Sequence, residues 1–143
     1  MLLLPITDSQ TLIKLLEKDD IYAPLCNISD KALIESCLNL QIQQWFVLIE
    51  KEEIVGIFLV TPGNGMTLYF HAGLYKQYRN KHTSKYLKAC LELYAPKKNV
   101  VWLTTQPEGN TAARKIVESM GFIHKATIPG GYSNKNMLIF SEV

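Results

Sequence analysis

The chain has 143 residues and is short of cysteine, of net charge and of long apolar runs, and each shortage excludes something. Its three cysteines, Cys26, Cys37 and Cys90, are odd in number and never spaced as CxxC. That excludes a disulfide framework and a zinc-ribbon pattern, and it fits reduced thiols in a cytoplasm, packed as small apolar residues. The net charge of +2 is too small to argue for a nucleic-acid partner. No apolar stretch approaches the roughly 18 residues of a membrane span. The opening "MLLLPI" is too short for the hydrophobic region of a signal sequence and has no basic flank. Internal repeats, low-complexity tracts and linkers are absent. So are paired carboxylates at a suggestive spacing and a Ser-His-Asp set. No metal is expected, because the three histidines, His71, His82 and His124, are scattered.

What is present is an ordinary globular composition, 48% apolar and 20% charged, in a length that suits one domain over 1–143. A chain of this size buries roughly 70% of its unfolded surface, enough for a real core. "LLLPI" predicts a short strand. "TDSQTLIKLLEKDD" predicts a helix capped by Thr7 or Asp8, with Leu12, Leu15 and Leu16 on its apolar face. "NISDKALIESCLNLQIQ" predicts a second helix, capped by Ser29 or Asp30, with Leu33, Ile34, Cys37 and Leu38 at helical spacing. In "WFVLIEKEEIVGIFLVTP" two β-branched and aromatic runs flank a polar "EKEE", which is a hairpin pattern. Pro62 to Gly65 make a turn, and "MTLYFHAGLY" is the fourth strand.

"KHTSKYLKACLELYA" predicts a third helix, ended by Pro96, with Leu87, Cys90, Leu91 and Tyr94 inward. "NVVWLTTQ" reads as a buried strand, and Trp45 and Trp102 read as core. "NTAARKIVESMGF" predicts a fourth helix, capped by Asn110 or Thr111 and stopped at Gly121. "IHKATI" and "NMLIFSEV" are two strands joined by the loop "PGGYSNK". The order β-α-α-β-β-β-α-β-α-β-β argues an α+β (mixed α/β) class with a central mixed, mostly antiparallel sheet flanked by helices. Residues 66–105 should form a right-handed parallel crossover.

One stretch poses a chemical question. In "LYKQYRNKHTSKYL" a strand passes into a helix through a turn rich in cations: Lys76, Arg79, Lys81 and Lys85. A helix start offers main-chain N–H groups and partial positive charge to an anion. The cluster is either a phosphate-attracting site or a solvated basic face. His71, on the preceding strand, is either a base titrating near neutrality or an ordinary strand histidine.

Three features resemble the GCN5-related N-acetyltransferase (GNAT) family. "WFVLIEKEEIVGIFLV" is similar to its central hairpin, in which a charged turn precedes a Val-Gly pair. "LYKQYRNKHTSKYL" is similar to its acetyl-CoA loop, Arg/Gln-x-x-Gly-x-Gly/Ala. Arg79 matches; His82 and Ser84 stand where the two small residues belong, and Asn80 stands at a position that is often glycine. "NTAARKIVESMGF" resembles the second cofactor segment, Asn-x-x-Ala-x-x-φ-Tyr-x-x-x-Gly-Phe. Asn110, Ala113, Ile116, Gly121 and Phe122 match, and Val117 replaces the tyrosine.

The resemblance implies a GNAT-like fold over 1–143 and an N-acetyltransferase that moves acetyl from acetyl-CoA to an amine by direct attack. It implies that the cofactor lies in a gap between the fourth and fifth strands, opened by a bulge for which Gly73 is suited. Cofactor contacts are expected at Gly73, Leu74, Arg79, Asn80, Lys81, His82, Thr83, Ser84, Lys85, Asn110 and Ala113. His71 is the candidate base and Tyr132, in the last loop, the candidate acid; His124 is weaker. The expected partners are acetyl-CoA and an amine acceptor, small molecule or protein, with no membrane or nucleic acid, and the chain as a monomer or homodimer. The alternative is a catalytically inactive protein of this fold that binds CoA or serves a regulatory or structural role.

Overall fold

The structure is a computed structural model that describes residues 1–21, 43–79, 82–132 and 134–143. Of the second helix expected from the sequence over 27–43, residues 27–42 lie outside the described residues, as do Cys26, Asn80 and Lys81, and with them Cys37. The described elements are β1 (Leu2–Pro5), α1 (Ser9–Glu17), β2 (Gln44–Glu50), β3 (Glu53–Pro62), β4 (Thr67–Leu74), α2 (Thr83–Tyr94), β5 (Val101–Pro107), α3 (Thr111–Ser119), β6 (Ile123–Tyr132) and β7 (Lys135–Ser141). One seven-stranded sheet runs β1-β2-β3-β4-β5-β7-β6. Every neighbouring pair is antiparallel except β4 and β5, which α2 joins as a parallel crossover.

Alternation along the strands sorts the core onto two faces. Trp45, Val47, Ile57 and Leu59 pack with Leu12 and Leu16 of α1. Leu48, Phe58, Val60, Phe70, Trp102 and Phe140 pack with Cys90 and Leu91 of α2 and Val117 of α3. β3 therefore has helices over both faces and is buried almost throughout. Phe58 is fully buried and meets the rings of Phe46, Phe70, Tyr94 and Trp102. Truncating such a residue to alanine costs about 3–5 kcal/mol.

Two local features hold the central hairpin. Its turn is Lys51 and Glu52, both left-handed at φ 51 and 65. That two-residue geometry matches the twist of the flanking strands, although neither residue is the asparagine or glycine that adopts it most cheaply. Next, a bulge between Leu48 and Ile49 skips Val55 and brings Gly56 opposite Leu74. A Cβ on Gly56 would stand 2.3 Å from the Gly73 carbonyl oxygen. The glycine of the Val-Gly pair is thus needed because β4 runs beside it at main-chain contact.

The last hairpin differs from expectation. β6 runs on through the stretch expected as a loop, so Tyr132 closes a strand and pairs with Lys135. The extension is irregular: register shifts between Ile128 and Tyr132, and Gly130 takes φ 67. Local turn residues signalled a loop, but pairing with β7 overrides them.

Candidate active site

β4 and β5 share only three paired positions, Thr67 with Val101, Leu68 with Trp102 and Tyr69 with Leu103. Beyond them β5 follows β7 as far as Pro107, and β4 follows β3 as far as Leu74. Each strand keeps its outer partner, so a wedge opens between them. The ladder of β4 with β3 runs through Gly73 without a register shift, so the opening does not come from a bulge at Gly73. It comes from divergence after Tyr69.

At the apex Thr104 Oγ1 donates to the Phe70 carbonyl at 2.9 Å and satisfies the first group the lost ladder would orphan. Phe70 therefore turns its main chain towards β5. In an antiparallel ladder this orientation repeats every second residue, so Ala72 and Leu74 also face the wedge. Arg79 Nε occupies the Leu74 carbonyl at 2.7 Å. That leaves both main-chain groups of Ala72 and the Leu74 N–H presented to the opening.

The wedge widens into a cavity of about 410 Å³, a size usual for small-molecule sites. Its lining comes from both faces of the sheet, with Leu87, Ile116 and Val117 on the α2–α3 side and Asp19 and Ile21 after α1. His71 and Thr105 lie on the α1 side, by the same alternation that sends Phe70, Trp102 and Thr104 to the other. There His71 Nε2 is 3.1 Å from Thr105 Oγ1, and Thr105 Oγ1 is 3.1 Å from the Tyr132 hydroxyl. The two candidate catalytic residues, 61 positions apart in sequence, are the ends of one hydrogen-bonded chain across the wedge. Burial pushes the His71 imidazole below its ordinary 6.5, with a hydrogen bond to the Thr105 main chain opposing it. It is therefore neutral at pH 7, as a base must be. On the other side Gln106 Nε2 donates to the Ala113 carbonyl at 3.0 Å. Its Oε1 stays buried and unpaired among the described residues, an acceptor without a donor in the cavity wall.

The remaining sequence-predicted residues divide. Gly73, Leu74, Arg79, Thr83, Asn110 and Ala113 line the same cavity. Arg79 faces inward: besides Leu74 it reaches the Asp19 carbonyl at 3.2 Å, bracing the end of β4 against the segment after α1. Asp19 answers with its carboxylate, which accepts from Lys76 N at 2.7 Å. His82 is exposed at the N-cap of α2 and contributes no side-chain cap; its φ of −140 is open to any residue. Ser84 and Lys85 border a separate surface depression with Met1 and Lys88. His124 is exposed on β6 and bonds within its own strand to Ala126 and Thr127. Cys90 is buried on the inner face of α2, and burial pushes its thiol up to about 12, so it is no nucleophile. Among the described residues no three His, Cys, Asp or Glu side chains converge as metal ligands would.

Sequence reasoning missed Ala72, Thr105 and Gln106. An alanine carries no sequence signal of a presented N–H. The other two had one: "TTQ" is a polar ending on a strand otherwise apolar.

Solved structures resemble the whole architecture. A chimera of the spermidine N-acetyltransferase from Vibrio cholerae and hSSAT superposes with a TM-score of 0.73 at 12% identity, covering 99% of this chain and 94% of that one. A RimL ribosomal L7/L12 alpha-N-protein acetyltransferase in complex with coenzyme A gives 0.72 at 10% identity, covering 99% and 93%. The chain has the fold of GNAT-family acetyltransferases. A GNAT acetyltransferase from Elizabethkingia anophelis with acetyl-CoA bound adds a third likeness, with a TM-score of 0.70, 14% identity, and 98% and 95% coverage. No protein-family model and no curated protein matches the sequence. In the GNAT fold of this chain the expected element order is present in every described element, and no helix among the described residues is long and apolar enough to cross a membrane.

Proposed function

We propose that the protein is an acetyl-CoA-dependent N-acetyltransferase that acts by direct attack of an amine on the thioester. The observation that carries this reading is the wedge between β4 and β5, with His71, Thr105 and Tyr132 bonded across its α1 side. The residues fit the co-substrate. Its long arm carries amide N–H groups, and Gln106 Oε1 is a buried acceptor that lacks one. Its phosphates need N–H donors and positive charge; His82, at the cap position of α2, makes no side-chain cap among the described residues, and Arg79 lines the same cavity as Thr83. Acetyl-CoA, when bound, supplies an activated acetyl group.

The chain's own residues would then do three things. The Ala72 N–H points into the wedge and can polarise the carbonyl. His71, neutral at pH 7, can take the proton that the attacking amine must shed. Tyr132 can give a proton to the departing sulfur, the task for which Val117 has no group. Asn110 ties the start of α3 and shapes the cavity wall beside Ala113. The amine would enter from the α1 side, where the polar chain lies.

The test is calorimetric titration with acetyl-CoA, followed by an assay of free-thiol release with spermidine, lysine and peptides bearing a free α-amine. Saturable binding with thiol release matched by an acetylated amine is the expected result. Failure to bind acetyl-CoA, or binding with no acetylated product from any amine class, would sink the proposal.

A further inference from the structure

The central atom of the chain across the wedge belongs to Thr105, to which the proposed function assigns no chemical task. His71 Nε2 and the Tyr132 hydroxyl each lie 3.1 Å from the same Thr105 Oγ1. A threonine hydroxyl has one proton to give and lone pairs to accept, so it can donate to one neighbour while accepting from the other. His71 and Thr105 are half-buried, and Tyr132 closes β6 beside them. Thr105 is also held from behind, because β5 stays in register with β7 at Thr105 and Ile139.

We propose that Thr105 is a positioning residue that joins base and acid into one proton path, so that the proton taken from the amine is returned to sulfur inside the protein. This rests on the N-acetyltransferase reading. A C–N bond forms between amine and acetyl, the C–S bond breaks, and its electron pair leaves on sulfur. The imidazole accepts the amine's proton at one ring nitrogen and releases the one on Nε2 to Thr105 Oγ1. Thr105 releases its own to the Tyr132 oxygen, and Tyr132 gives its phenolic proton to sulfur. One proton moves from nitrogen to sulfur, every oxygen regains a proton, and nothing is oxidised. The relay also accounts for the distance between the two ends: neither needs to touch the other.

Among the described residues, the other charged or titratable groups lining the cavity are Asp19 and Arg79. Asp19 is engaged by the Lys76 N–H, and Arg79 by two main-chain carbonyls, so neither interrupts the path.

The experiment follows His71 by ¹⁵N NMR in full-length protein carrying Thr105, Thr105→Val or Thr105→Ser, each with and without Tyr132→Phe. Removing the Tyr132 hydroxyl should move the His71 titration when residue 105 is threonine or serine and leave it still when it is valine. With acetyl-CoA and the amines above, Thr105→Val should slow transfer about 10²-fold and lose the solvent isotope effect, with Thr105→Ser within about threefold of wild type. Full rate and an unchanged pH profile in Thr105→Val, while His71→Ala is slow, would overturn the relay and leave the acetyltransferase reading standing. Intact NMR coupling with no transfer by the unmodified protein would overturn that reading and the proton path with it. A Thr105→Val protein that fails to fold leaves Thr105→Ser and Tyr132→Phe to decide through the NMR coupling, whose absence in the serine background would refute the relay.

Discussion

Two helix starts border the cavity, and they are finished differently. At the start of α3, Asn110 Oδ1 accepts from the Ala113 N–H at 3.2 Å, so the helix is closed by its own side chain. At the start of α2, His82 sits at the cap position, exposed, and gives no such bond. The sequences suggest the opposite ranking. The α3 segment matches its motif at Asn110, Ala113, Gly121 and Phe122, whereas the α2 loop has His82 and Ser84 where glycines belong. The difference teaches that a well-formed motif can be well formed because it is self-satisfied. A helix end that caps itself is scaffold; one that does not cap itself keeps its polarity for a ligand. The missing glycine matters little to this, since His82 needs no left-handed backbone.

The comparison is broken most directly by giving α2 the cap it lacks. His82→Asp places an acceptor and a negative charge at that start. It should raise thermal stability while weakening acetyl-CoA binding by about 10- to 100-fold, that is by about 1.4–2.8 kcal/mol. Parallel calorimetry and melting curves check it; two changes of the same sign would mean the α2 start holds no phosphate. The mirror change is Asn110→Ala, which should cost about 1 kcal/mol of stability by loss of the cap. Acetyl-CoA affinity should stay within about twofold if the anion is held at the start of α2 instead. A large affinity loss there would move the anion site to α3.

A smaller effect separates the helix starts from the wall between them. His71 is held below its ordinary pKa by burial, so below 6.5 the unfolded chain binds a proton that the folded one resists. Stability should therefore be complete above that value and fall as pH drops from 6.5 towards the lower folded value. The slope from this group cannot exceed about 1.4 kcal/mol per pH unit. His71→Gln should flatten it, as urea melts between pH 7.5 and 5 would report, with acetyl-CoA affinity unmoved. An unchanged slope would place the acid sensitivity elsewhere. Smallest of all is salt: rising ionic strength should weaken acetyl-CoA binding a few-fold through screening at α2, and less in His82→Asp.

Local features were legible from the residues. The spacing of Leu12, Leu15 and Leu16 gives α1, and Asp8 caps it by accepting from the Thr11 N–H. The polar "EKEE" marks the hairpin turn at Lys51 and Glu52, and Gly56 sits where β4 approaches closely. What escaped was set by partners distant in sequence. Where β4 leaves β5 depends on β7 holding β5 and β3 holding β4, and no window of sequence contains all four strands. The same holds for Tyr132, which local glycines assign to a loop and β7 draws into a strand. His71 and Tyr132 could be singled out by type, but Thr105, which joins them, is an unremarkable strand residue until the strands are laid side by side.

The central claim is that acetyl-CoA lies in the β4–β5 wedge with its phosphates at the start of α2. Residue-resolved amide hydrogen exchange, measured with and without saturating acetyl-CoA, tests it most directly. New protection should appear at Ala72 and across residues 82–85, with Ala113, already bonded to Asn110, unchanged. Calorimetric binding that leaves Ala72 and residues 82–85 exchanging as before would contradict it.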